Sequence, residues 1–146
     1  MKIGIASHAH RKLKGLKRYV SSPKMTSDDL SLLASKIPAA GAVVGCYFND
    51  LTNLRDRIVI TDNGLVTTVD ETFRFVRYRN MSHVVRGESK DVESDEILVM
   101  MRSAAIETIV IRGKDSEMGF HDKFAVMMFL ESAISVHAAA RPPDSD

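Results

Sequence analysis

The sequence predicts an α+β protein. It should form a small barrel or sandwich of six or seven antiparallel strands with a C-terminal helix, preceded by an N-terminal helical extension. Three observations carry that expectation. Between residues 41 and 111, short apolar, β-prone runs follow one another with turn residues between them. From Phe120 to Ala138, apolar residues return every three or four positions, the period of a helix. Before Gly41 the chain is basic and interrupted, and the change falls near Pro38. The expected divisions are a basic helical extension over residues 1–40, a β-rich body over residues 41–138 and a flexible tail over residues 139–146.

In the extension, Leu13, Leu16 and Val20 are spaced i, i+3, i+7, which predicts a helix over His10–Val20. Gly15 weakens it by about 1 kcal/mol, and Ser21-Ser22-Pro23 breaks it. A second helix starts at Thr26, where Asp29 three residues on resembles a capping box. Asp28 and Asp29 suit the positive helix N-terminus. Leu30, Leu33 and Ile37 line one face, and Pro38 stops the helix.

The body opens with the apolar run Ala42–Phe48. Arg57–Thr61 is the next strand, and Asp62-Asn63-Gly64 reads as a hairpin because Asn-Gly accepts positive φ angles. Leu65–Val69, Phe73–Tyr78 and Met81–Val85 follow as strands. Glu88–Glu96 holds five acidic residues and one lysine, which predicts a solvated loop before the strands Ile97–Met101 and Ile106–Ile111. In the last helix, Phe120, Phe124, Met127, Leu130 and Ile134 form one apolar stripe. Val126, Phe129, Ala133 and Val136 form another on the far side. A helix apolar on both sides must be covered on both. One side can take the sheet, and the other needs the extension or a second subunit. Val126, Phe129, Ala133 and Val136 are therefore the expected interaction surface, and homo-oligomerisation is expected with it.

Composition bounds the function. The 146 residues include one cysteine, no tryptophan and a net charge of +1, with 45% hydrophobic and 27% charged residues. A lone cysteine excludes a disulfide framework within the chain. No apolar run approaches the length of a membrane span, and the N-terminus lacks the apolar core of a signal peptide. A reducing cytoplasmic location is the expectation. The near-neutral total hides an asymmetry: eight basic against two acidic residues before Gly41, and twelve against seventeen after it. Arg11, Lys12, Lys14, Lys17 and Arg18 concentrate the positive charge. Such an arm can lie on the chain's own acidic body or contact anionic lipid or nucleic acid through phosphates. Arg74, Arg77 and Arg79, crowded near Phe73 and Phe75, are a second candidate anion-binding group.

Catalytic and metal signals are sparse. His8-Ala9-His10 offers two ligands, but the metal-dependent hydrolases that use such a pair need a barrel longer than this chain. No H-E-x-x-H, C-x-x-C or phosphate-binding glycine loop occurs, so no cofactor or metal is expected. Cys46 with His83 or His121 could make a nucleophile and base. However, Cys46 lies mid-strand in an apolar run, where buried inert thiols are usual. A small enzyme is therefore the third reading, behind a protein-contact module and a polyanion-binding module.

Two resemblances bear on this. Arg57–Leu65 looks like the hydrophobic-T-x-x-G-L hairpin of bacterial pleckstrin-homology-like (PH-like) domains. Tyr78, Met81 and Val84 resemble their Y-x-x-I-x-x-V segment, and Ile109–Gly113 followed by Phe124 and Phe129-Leu130 resembles their closing strand and helix. The resemblance covers about residues 41–138 and implies a binding or assembly module without catalysis. Phosphoinositide-binding members pair basic residues on their first two strands. Here Arg55 and Arg57 supply only the second half of that motif. Met1–His8 also resembles the opening of a sugar-phosphate isomerase family, but over eight residues only, and the strands running together from residue 41 do not fit its βαβ fold.

Overall fold

The computed structural model describes residues 4–21, 35, 37–50, 52, 56–69, 72–86, 95–113 and 121–139. Among the described residues, two full α-helices, α1 (Ile5–Leu13) and α2 (Asp122–Ala139), accompany two antiparallel sheets. The first sheet has five strands in chain order: β1 (Tyr19–Ser21), β2 (Val43–Phe48), β3 (Arg57–Thr61), β4 (Gly64–Val69) and β5 (Thr72–Arg77). The second has three: β6 (Met81–Val84), β7 (Glu96–Met101) and β8 (Ile106–Val110). The class is α+β as expected, and the sheets do not close into a barrel.

The extension departs most from expectation. Its helix lies five residues earlier than the His10–Val20 spacing predicts. Ile5, Ala9 and Leu13, at i, i+4, i+8, are the buried stripe, and α1 ends two residues before Gly15. Tyr19 and Val20, expected as the end of that helix, and Ser21, expected to break it, instead pair antiparallel with β2, Val20 opposite Cys46. An aromatic and a β-branched residue beside an open sheet edge gain more from pairing than from continuing a helix past a glycine. The expected helix from Thr26 lies outside the described residues except for Ser35 and Ile37. Ser35 is helical and Ile37 is not, and Pro38–Ala40 forms a short 3-10 turn.

The strands of the body fall where the alternation puts them. β3 to β4 is the expected hairpin, but for a different reason. Among the described residues only Gly41 and Ala104 have positive φ, so neither Asn63 nor Gly64 uses that freedom. Gly64 is required by close approach: a Cβ there would collide with the Val76 carbonyl on β5 and come within 2.9 Å of Arg77 Cα. Thr61 closes the turn, its hydroxyl donating to Gly64 O at 2.8 Å.

One core joins both sheets and both helices. Ile58, Ile60, Leu65, Val76 and Tyr78 meet Met81, Val84, Ile97, Val99 and Ile109 under Leu13 and Phe129. The other face of the first sheet carries a smaller cluster: Cys46, Val59 and Val66 with Ala40, against Ile37, Phe73 and Phe75. No described helix is long and apolar enough to cross a membrane.

Candidate functional site

The expected interaction surface on α2 is interior. Val126 is buried, Phe129 and Ala133 are wholly so, and Val136 packs partly buried against the same core. Both sides of the doubly apolar helix are covered within one chain, since α2 packs against α1 as well as β6 and β7. Phe129 meets the Tyr78 ring edge-on, 6.1 Å between centroids. The helix therefore demands no second subunit. Its outward large apolar residue is Met128, 52% exposed.

The basic groups divide. Arg11, Lys14 and Lys17 are exposed around the C-terminal end of α1, and Lys12 is half-buried. Cations there complement the negative end of the helix dipole. Arg18 turns inward onto the chain's own body: its Nη1 donates to Asn49 O at 2.7 Å. On β5, Arg74 pairs with Glu107 of β8 across the mouth between the sheets. Arg77 lies on the other face, its guanidinium 5.4 Å from the Phe75 ring centre. Arg79 sits in the 3-10 turn Tyr78–Asn80. Strand alternation thus splits the three arginines instead of gathering them. A shallow dent of about 520 Å³ lies beside them, lined by Asn80, Arg102, Ser103 and Glu107 among others.

Cys46 is buried in the smaller cluster. His83 is exposed on β6 and bonded to Ser82 (3.0 Å), and His121 stacks edge-on to Phe124. His8 and His10 lie on α1. Among the described residues, no three His, Cys, Asp or Glu side chains gather as a metal site.

Sequence reasoning missed a buried polar clamp. Tyr47 Oη donates to Asp122 Oδ2 (2.8 Å) and accepts the Gly113 N–H (2.9 Å). Asp122 N–H in turn donates to Gly113 O. Asn49 extends the clamp, donating to Val110 O and accepting from Arg112 N–H. The end of β2, the exit from β8 and the start of α2 are thereby tied together. Burial, then the hydrogen bond and charge of Asp122, hold the Tyr47 phenol well above the usual range. This arrangement fixes the fold and presents nothing to solvent.

The second missed feature reaches solvent in part: Leu98, Met100 and Val110 are half-buried and Ile106 is exposed. Strand alternation turns Ile97, Val99 and Ile109 into the core. The opposite face of the three-stranded sheet then carries Leu98 and Met100 on β7 with Ile106, Thr108 and Val110 on β8. Register sets His83–Met100–Ile106 in one row and Leu98–Thr108 in the next. Val85 donates its N–H to Leu98 O (2.8 Å) and continues that row. Ile106 is 54% exposed. None of Val85, Leu98, Met100, Ile106 or Val110 belongs to either core cluster. The sequence carried the signal. Ile97 to Met101 is an unbroken apolar run, whereas an antiparallel strand with one solvated face normally alternates.

Beside this face, a groove of about 210 Å³ runs between β6 and α2, lined by Ser82, His83, Ile134 and Ser135 and spanned by the Arg86–Glu131 pair at 2.5 Å. No family model, curated protein or solved structure matches the chain.

Proposed function

We propose that the chain is a non-catalytic binding or scaffolding module of PH-like architecture that acts through protein contacts. The architecture is supported by the order of elements: a meander β2–β5, a meander β6–β8 and one closing helix, which is the arrangement the resemblance implies. On this reading α1 and β1 are additions that cover the closing helix and lengthen the first sheet.

One observation supports the protein-contact reading: Ile106, 54% exposed, stands beside half-buried Met100 on the outer face of the three-stranded sheet. Exposed apolar side chains rimmed by polar residues mark interaction sites. A reducing, cytoplasmic setting fits a chain whose single thiol is buried. The second reading, contact with anionic lipid or nucleic acid, has its support in exposed Arg11, Lys14 and Lys17.

The two are separated by comparing chemical cross-linking in the source cell with titration against anionic vesicles, DNA and RNA across salt. Cross-linked protein partners lost on Ile106→Glu support protein contacts. Salt-sensitive binding to vesicles or nucleic acid, abolished by changing Arg11, Lys14 and Lys17 to Gln, replaces that reading with the second.

A further inference from the structure

We infer that the C-terminal end of α1 and the turn after it, residues 11–17, form a docking surface for an acidic stretch of a partner polypeptide. The inference rests on the protein-contact reading and adds to it a contact point and the chemistry of the partner.

The pairing of charges points outward. Arg11, Lys14 and Lys17 are exposed and Lys12 is half-buried. Among the described residues, none of these four side chains has an ion-pair or hydrogen-bond partner. The other described arginines and lysines all interact within the chain. Arg74, Arg86 and Arg112 pair with Glu107, Glu131 and Asp56. Arg18 donates to Asn49 O, and Arg77 lies over Phe75. The carboxylates of the body thus meet its own arginines, and the charges of residues 11–17 are left for an anionic occupant. Arg11 and Lys14 stand within about 5 Å of each other along the helix axis, so a run of acidic groups complements them better than a single one.

The backbone beside those charges narrows the occupant. Lys14 N–H and Leu16 N–H donate to His10 O and Leu13 O. The carbonyls of Arg11 and Lys12 accept no bond from a described residue, as the last turn of a helix leaves its acceptors open. An acidic polypeptide brings carboxylates for the cations and backbone N–H groups for the carbonyls. A phosphate chain brings acceptors alone, and the negative end of the helix opposes them. Besides Arg11, the exposed residues of α1 are Ala6, Ser7 and His10. They supply no bulky apolar group to enter a bilayer and no Phe, Tyr or Trp for a base to stack on.

The test is fluorescence anisotropy of a labelled oligoglutamate peptide of about ten residues, titrated with the full chain at about 50 mM salt. Binding is expected, weakening about tenfold as salt rises to about 300 mM. Changing Arg11, Lys14 and Lys17 together to Gln should weaken it at least about tenfold and leave the circular dichroism melt in place. Changing Arg74 and Arg86 to Gln, exposed cations already paired within the chain, should leave it within about twofold. Single-stranded DNA of about ten nucleotides and vesicles containing phosphatidylserine should each bind more weakly than the peptide. If the triple variant fails to fold, Lys17→Gln alone, in the turn beyond the helix, decides through a weakening of about threefold. No peptide binding at low salt overturns the inference, as does binding weakened equally by the Arg74 and Arg86 changes. In either case the protein-contact reading survives if cross-linked partners are still lost on Ile106→Glu. DNA or vesicles binding more tightly than the peptide through residues 11–17 overturns both.

Discussion

At the scale of single residues, the fold depends on a few buried polar atoms and on space that only glycine leaves. Tyr47→Phe removes one hydroxyl and strips Asp122 and the Gly113 N–H of a partner. Leaving buried groups unsatisfied should cost about 1–3 kcal/mol in urea unfolding. Gly113→Ala should do worse, because its methyl would overlap both Asp122 Oδ2 and Tyr47 Oη; the soluble yield and melting temperature measure it. All three tyrosines share one consequence of burial. Desolvation, the leading cause in each, raises Tyr47 and Tyr78, and it pushes Tyr19 up to about 12 with the nearby Cys46 adding to it. Unfolded tyrosines lose their protons near pH 10. Above that pH the folded state binds more protons than the unfolded one, so stability falls as pH rises. Unfolding free energy should be flat in this respect below pH 10 and decline above it. Absorbance titration should show phenolate appearing together with unfolding, and three tyrosines ionising near 10 in the intact fold would contradict it.

At the scale of elements, geometry separates what adjacency in sequence joined. Arg74, Arg77 and Arg79 are near neighbours in the chain but point to an ion pair with Glu107, a ring contact with Phe75 and a 3-10 turn. Arg74→Ala should change stability by less than about 0.5 kcal/mol, since an exposed pair contributes little. Phe129→Ala in α2 should cost about 3–5 kcal/mol, because Phe129 is wholly buried against Tyr78 and leaves a cavity. Calorimetry of both variants separates a solvated contact from a core one. The strands of the body were legible because turn residues punctuate them: Arg57–Thr61 has the expected bounds. The β3–β4 turn was legible too, but the reason for its glycine was not. Only the approach of the Val76 carbonyl reveals it.

At the scale of the whole molecule, residues 5–21 belong to the same packed body as the rest. α1 contributes Ile5, Ala9 and Leu13 to the main core, and Phe48 N–H donates to Arg18 O beside β1. Deleting residues 1–21 should therefore lower the melting temperature sharply or prevent folding. The triple change of Arg11, Lys14 and Lys17 to Gln should leave the melt within a few degrees, because these side chains are exposed. Polyanion binding must be tested by the triple change, since the deletion would confuse lost charge with lost fold.

The amino-acid sequence by itself determined the α+β class, seven strands of the body and the closing helix. Those follow from local periodicity and turn chemistry, which act over a few residues. It also determined that α2 is apolar on both sides, but not what covers it. Tertiary packing decided that: α2 packs against α1 as well as β6 and β7, so that Val126, Phe129 and Ala133 become core and Val136 packs half-buried against it. Packing decided equally that the unbroken run Ile97 to Met101 has one face inside and one outside. An apolar residue reads the same from sequence whether its neighbour is the core or water, and only the register of β6, β7 and β8 tells which.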